Sequence, residues 1–210
     1  MGRGCYQNES RDLVIVGNWC PNRCFSNYGE CGASDFGEEK TVLMCELRPE
    51  MKGKLISNAM LEILSAVKKS TVKGKSVFLY TPDMFNNFYL EAVIEKLPDN
   101  PKAYIAVNAC VHSFLNAGMS FDELKQKGIR EIWFGVESGS VALRQKYNKP
   151  SFTNDDISRI TDLGRDSEVN ICWFLVDGAE DTPQTKLETY QLLREAQPFR
   201  FHFSTLSMAA

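Results

Sequence analysis

No apolar run approaches the roughly 18 residues that a membrane-spanning helix needs. The opening residues, Met1-Gly2-Arg3-Gly4-Cys5-Tyr6-Gln7, lack the apolar core of a secretory signal. Tyr6 also stands where a myristoylation start wants Ser or Thr. Neither sign of charge dominates: 24 Lys and Arg against 27 Asp and Glu leave a formal net charge of -3. The basic residues are scattered, so no broad positive field recruits nucleic acid. Internal repeats and low-complexity segments are absent. Without an export signal the expected compartment is the reducing cytoplasm, where the seven cysteines point to metal ligation or burial before disulfides. Their odd number argues against a fully paired disulfide framework.

What is present suits one domain. The chain has 210 residues, of which 43% are hydrophobic, enough for a single sizeable core over 1–210. Residues 1–11 read as an N-terminal extension and 29–54 as a candidate insertion. Six runs of strand length recur: Leu13–Val16, Val77–Tyr80, Tyr104–Val107, Glu131–Val136, Asn170–Val176 and Phe199–Phe203. All but the last are largely continuous in hydrophobicity, as parallel strands buried on both faces require. Helical patterns lie between them. Ala59–Lys69 aligns Met60, Ile63, Leu64 and Val67, and Phe88–Leu97 aligns Leu90, Val93, Ile94 and Leu97. A helix opening at Asn154-Asp155-Asp156 carries Ile157, Ile160 and Leu163, with Gly164 as its expected stop. Thr182-Pro183 reads as a cap followed by proline in the first turn of a helix that runs toward Ala196.

This alternation predicts an α/β fold with a parallel sheet and right-handed crossovers. A closed eight-stranded barrel needs about 250 residues, so the expectation is a partial (β/α)6, TIM-like barrel. A doubly wound flat sheet is the alternative. Both architectures place the functional site at the carboxyl ends of the strands.

Directly after the first strand, Cys20, Cys24 and Cys31 lie within a short loop that also contains Gly29 and Gly32. Thiolates suit iron–sulfur clusters and structural zinc. Three of them leave one iron of a four-iron cluster without a protein ligand. A closed zinc site would want a fourth, for which Cys45 is the nearest candidate. Three metal-free thiols are the remaining reading.

The Cys-x-x-x-Cys of Cys20 and Cys24, with Pro21 after the first, resembles the radical S-adenosylmethionine (radical SAM) superfamily. So do Gly135-Val136-Glu137-Ser138-Gly139-Ser140 with the following Leu143 to Lys149, Tyr80-Thr81-Pro82-Asp83-Met84-Phe85, and Phe174 to Thr182. The resemblance covers essentially the whole chain. It implies a [4Fe-4S] cluster on Cys20, Cys24 and Cys31 that chelates S-adenosyl-L-methionine and, once reduced, cleaves it to a 5′-deoxyadenosyl radical that abstracts hydrogen from substrate. The usual third cysteine would fall at position 27, which is Asn27, so Cys31 takes that role four residues later. Tyr28, or failing that Phe25, would supply the displaced aromatic residue near adenine. Glu137 and Ser138 match positions near the ribose or methionine part of the cofactor, Arg144 or Lys149 would meet the methionine carboxylate, and Asp83 matches a second-strand position facing the site. The resemblance further implies an electron donor such as flavodoxin or ferredoxin and leaves the substrate open among peptide, RNA and small molecule.

Bland readings stand beside these. Glu137 can be a partly buried carboxylate capping the next helix. Cys110 and Cys172 read as small hydrophobes, Trp133 and Trp173 as core. His112 reads as a surface histidine near the site end, and His202 as a side chain facing the barrel interior. The competing function is a degenerate, non-catalytic barrel whose cysteine site holds zinc or nothing and which serves as a binding module.

Overall fold

The computed structural model describes residues 11–15, 41–42, 61, 63–69, 76–81, 83–86, 90–99, 101–147, 149 and 152–206. Among the described residues, seven strands form one sheet: β1 (Arg11–Ile15), β2 (Thr41–Val42), β3 (Ser76–Tyr80), β4 (Tyr104–Ala109), β5 (Ile129–Glu137), β6 (Asn170–Gly178) and β7 (Arg200–Leu206). Every pairing is parallel and the spatial order is β2-β1-β3-β4-β5-β6-β7. From β1 through β3 to β7 the strands follow chain order, so each crossover advances the same way. A doubly wound sheet would instead reverse about a switch point. The result is the expected α/β partial barrel. The six expected strands are all present. The seventh, β2, is a two-residue addition beside β1 from within 29–54, too short to leave a periodic signal.

The helices sit between strands as a parallel sheet demands. Residues 63–69 are helical, within the expected span. Of the expected 88–97 helix, Leu90–Ile94 winds as a wider π-type turn. Two short helices, Val111–Ala117 and Phe121–Gln126, separate β4 from β5 and were not expected. Gly118 (φ 65°) ends the first, and a reciprocal Ser120/Glu123 capping box starts the second. Later come the helices Val141–Lys146, Asn154–Asp166 and Pro183–Ala196. The last is capped by Thr182 with proline in its first turn, and ends at Gln197 in the left-handed region.

Gly164 does not stop its helix, which continues to Asp166. A Cβ there would lie 2.3 Å from Ile171 Cγ1, so glycine lets this helix lie directly on β6. Leu163, expected on the buried stripe with Ile157 and Ile160, is 48% exposed.

Side-chain alternation along the strands separates two apolar faces. Toward the helices, Val77, Leu79, Ile105, Val107, Ile132, Phe134, Ile171 and Trp173 join the helical residues in the main core. Toward the interior of the half-barrel, Phe78, Ala106, Trp133 and Cys172 form a second cluster, with Tyr80 and Phe174 packed against it.

Candidate functional site

The carboxyl end of β5 carries the most unusual backbone. The β5–β6 register runs Gly135↔Phe174 and then Glu137↔Leu175, so Val136 is an extra residue. Such a bulge bends a strand and re-aims the side chains beyond it. Glu137 is one of three non-glycine residues with positive φ among the described residues, at 64°. Its carboxylate lies 2.7 Å from Lys149 Nζ, with side chains only 9% and 7% exposed. The pair sits over Gly135, where a Cβ would come within 2.7 Å of Glu137 Oε1 and 3.2 Å of Lys149 Nζ. Glycine at 135 is therefore the space into which the carboxylate folds.

The turn after β5 is locked to the helix Pro183–Ala196. Ser138 Oγ and Thr189 Oγ1 lie 3.1 Å apart, and the Gly139 amide donates to Thr189 Oγ1 at 2.9 Å. The Ser140 amide donates to Ser138 Oγ at 3.1 Å. Gly139 touches the helix backbone so closely that a Cβ would lie 2.5 Å from the Glu188 carbonyl oxygen. Arg144 is buried and clamps the same turn. Its guanidinium donates to the Ser138 carbonyl at 2.6 Å and the Phe152 carbonyl at 3.3 Å, and stacks 4.8 Å from the Phe152 ring centre. Burial pushes its pKa down to about 10, which leaves it charged at neutral pH.

Asp83, past the end of β3, is fully buried. It accepts from the Cys110 amide at 3.1 Å and from Ser113 Oγ at 2.6 Å, tying this strand end to the first turn of helix Val111–Ala117. Burial raises its pKa, while the bonds from Ser113 and Cys110 oppose that rise.

Below the strand ends the interior face is aromatic. Trp133 and Phe174 lie 4.8 Å apart between ring centres, and His202 meets Phe174 edge-on at 6.3 Å. Deeper still, Glu131 accepts from Trp133 Nε1 at 2.6 Å and from the Tyr104 hydroxyl at 2.9 Å, and Asn170 donates to that hydroxyl at 2.8 Å. His202 thus faces the interior. His112 lies on the helix surface, 2.9 Å from Asn116 Nδ2. Cys110 and Cys172 are buried as thiols, outside any disulfide.

Of the residues singled out in the sequence, Glu137, Ser138, Arg144 and Lys149 come together at the end of β5. Asp83 stands two strands away. Cys20, Cys24, Cys31 and Tyr28 lie outside the described residues. Among the described residues, no three His, Cys, Asp or Glu side chains group as a metal site, and no helix is long and apolar enough to cross a membrane. Sequence reasoning missed Gly135 and Gly139 as space-making residues, Thr189 as their anchor, and Asn108 on the interior face. Asn108 carried a signal, a polar side chain inside an apolar strand run. Thr189 carried none, because only tertiary packing defines it.

Comparison with known proteins agrees with this architecture. No family model and no curated protein matches the chain. Solved structures do. The radical S-adenosylmethionine methyltransferase TsrM from Kitasatospora setae, with tryptophan substrate and a SAM analog (aza-SAM) bound, matches with TM-score 0.62 and 16% identity over 92% of this chain and 35% of that one. TsrM with cobalamin and a [4Fe-4S] cluster bound matches with TM-score 0.55 and 15% identity over 70% and 30%. Coproporphyrinogen III oxidase (HemN) from Escherichia coli, a radical SAM enzyme, matches with TM-score 0.55 and 15% identity over 95% and 44%. The chain therefore has the fold of radical SAM enzymes. It spans about a third of the length of TsrM and under half that of HemN.

Proposed function

We propose that this chain is a radical SAM enzyme that holds a [4Fe-4S] cluster on Cys20, Cys24 and Cys31 and binds S-adenosyl-L-methionine across the strand ends. The single observation that carries the reading is the Glu137–Lys149 pair at the carboxyl end of β5, within a fold shared with enzymes of that class. An ammonium and a carboxylate held against each other over Gly135 are groups that complement the two charged ends of an amino acid. The pair thus fits the methionine part of the cofactor. Cys20, Cys24 and Cys31 would hold the cluster, and the chemistry it would supply when bound is one-electron reduction of the cofactor's sulfonium.

The chain's own residues then bind and orient. Lys149 meets the methionine carboxylate, and Glu137 meets the ammonium or the ribose. Tyr28 is the aromatic residue assigned to the adenine. Ser138 and Arg144 hold the turn that presents Glu137, and Asp83 fixes the end of β3 against its neighbouring helix. An electron donor of the flavodoxin or ferredoxin type, in the cytoplasm, would supply the reducing electron. The hydrogen donor is a substrate of open class.

Anaerobic reconstitution tests the reading. It predicts a brown protein with about four irons and matching sulfide per chain. Cys31→Ala is expected to lose the cluster while its circular dichroism stays unchanged. A colourless protein with one bound zinc overturns it in favour of the binding-module alternative.

A further inference from the structure

Asn108 lies two residues beyond Ala106 on β4, so its side chain stands on the same interior face. Its register partner is Trp133. The residue is only 7% exposed, and its Oδ1 is buried without a hydrogen-bond partner among the described residues. Buried amides without a partner are rare in native folds, and each one needs a reason. The register partner of Asn108 does not supply one, because Trp133 Nε1 bonds to Glu131. On this interior face Asn108 neighbours an apolar cluster. Trp133, its register partner, is buried in that cluster, the half-buried rings of Tyr80 and Phe174 pack against it, and His202 meets Phe174 edge-on. The Glu137–Lys149 pair lies over Gly135, two residues or about 7 Å further along β5 than Trp133.

We infer that this face is the substrate pocket, and that it takes a neutral, flat aromatic group whose hydrogen-bond donor satisfies Asn108 Oδ1. Stacking on Phe174 and His202 orients the ring, because aromatic pairs favour offset or edge-on contact at these spacings. The Glu131 carboxylate on this face is already taken by Tyr104 and Trp133, so it does not call for a cationic substrate. The assignment names the substrate class of the site proposed above and rests on that reading for its purpose, but the binding it predicts needs no cluster.

The test uses indole, which carries a ring N–H donor, and indene, its isostere without one. Each is titrated into the 15N-labelled protein, and the Asn108 side-chain amide resonance is followed. Indole is expected to move that resonance and to bind about tenfold tighter than indene, the ratio that about 1.4 kcal/mol sets. Asn108→Leu is expected to erase the preference while melting no lower than the unmodified protein, since it removes a buried carbonyl left without a donor. Equal binding of the two probes overturns the inference, as does an unmoved Asn108 resonance. Displacement of indole by S-adenosylmethionine with a direct shift of Asn108 also overturns it, because Asn108 would then read the cofactor. A protein that discriminates the probes yet takes up no iron keeps this inference and loses the functional reading; one that takes up iron without discriminating does the reverse.

Discussion

Glu137 and Lys149 are held 2.7 Å apart at the end of β5, almost wholly out of solvent, by a backbone that places Glu137 at φ 64°. That conformation costs of order 1–3 kcal/mol for a non-glycine residue and persists only where its surroundings impose it. Here they do: the Val136 bulge turns the chain, Ser138 and Gly139 dock on Thr189, and Arg144 clamps the Ser138 carbonyl. A buried ion pair is thus held, at that backbone cost, at the carboxyl end of β5.

Breaking the pair from one side leaves a buried charge alone. Glu137→Gln and Lys149→Met are each expected to destabilise by about 3–5 kcal/mol, whereas the double variant loses much less than their sum. Urea unfolding of the four proteins measures this. Additive losses would mean that the two groups do not act as a pair.

Gly135→Ala places a methyl group where the carboxylate now lies. Because the obstructing atoms are the ends of flexible side chains, the fold survives with a small loss of melting temperature. Affinity for S-adenosylmethionine falls by about tenfold or more, the effect of roughly 1.4 kcal/mol. Equilibrium dialysis against labelled cofactor checks it, and unchanged affinity would place the cofactor elsewhere.

Gly139→Ala meets backbone instead, at 2.5 Å from Glu188 O and 2.6 Å from Thr189 Cα. Nothing there can swing aside, so the helix Pro183–Ala196 must shift. The expected loss is about 1–3 kcal/mol, with faster amide exchange in that helix than in Asn154–Asp166. Uniform exchange in both helices would contradict the docking role.

Asp83 gives a pH signature. Burial holds its folded pKa above the ordinary aspartate value of about 3.9. In the interval between the two values the folded state binds the proton that the unfolded chain releases. The stabilisation is therefore full below the unfolded value and is lost as pH rises through the folded one. Asp83→Asn removes this loss, so the variant gains on the unmodified protein as pH climbs across the weakly acidic range. Unfolding free energies measured at intervals from pH 4 to 7 test it; a constant difference between the two proteins contradicts the assignment.

Much of the scaffold was readable in the chain. Continuous runs such as Ile132-Trp133-Phe134 and Ile171-Cys172-Trp173 announce strands covered on both faces, and the structure buries them so. The cap at Thr182 was equally plain. The helices Val111–Ala117 and Phe121–Gln126 escaped notice because each spans barely two turns, and Thr41–Val42 because two residues carry no period. Gly164 was misleading: glycine ends helices when it frees the backbone, but here it serves contact with Ile171. At the end of β5, Gly135-Val136-Glu137-Ser138-Gly139-Ser140 spans the bulge and the docked turn. The division of labour inside it, with two glycines making room, one carboxylate paired and one serine docked, depends on Lys149 and Thr189 and is visible only in three dimensions.

The proposed reductive cleavage of S-adenosylmethionine at these strand ends is tested most directly by chromatographic detection of 5′-deoxyadenosine. Reconstituted protein reduced with dithionite is predicted to form 5′-deoxyadenosine and methionine in equal amounts, with Lys149→Met strongly impaired at limiting cofactor. A protein that holds a full cluster and binds S-adenosylmethionine, yet releases no 5′-deoxyadenosine above a cluster-free control, would contradict the account.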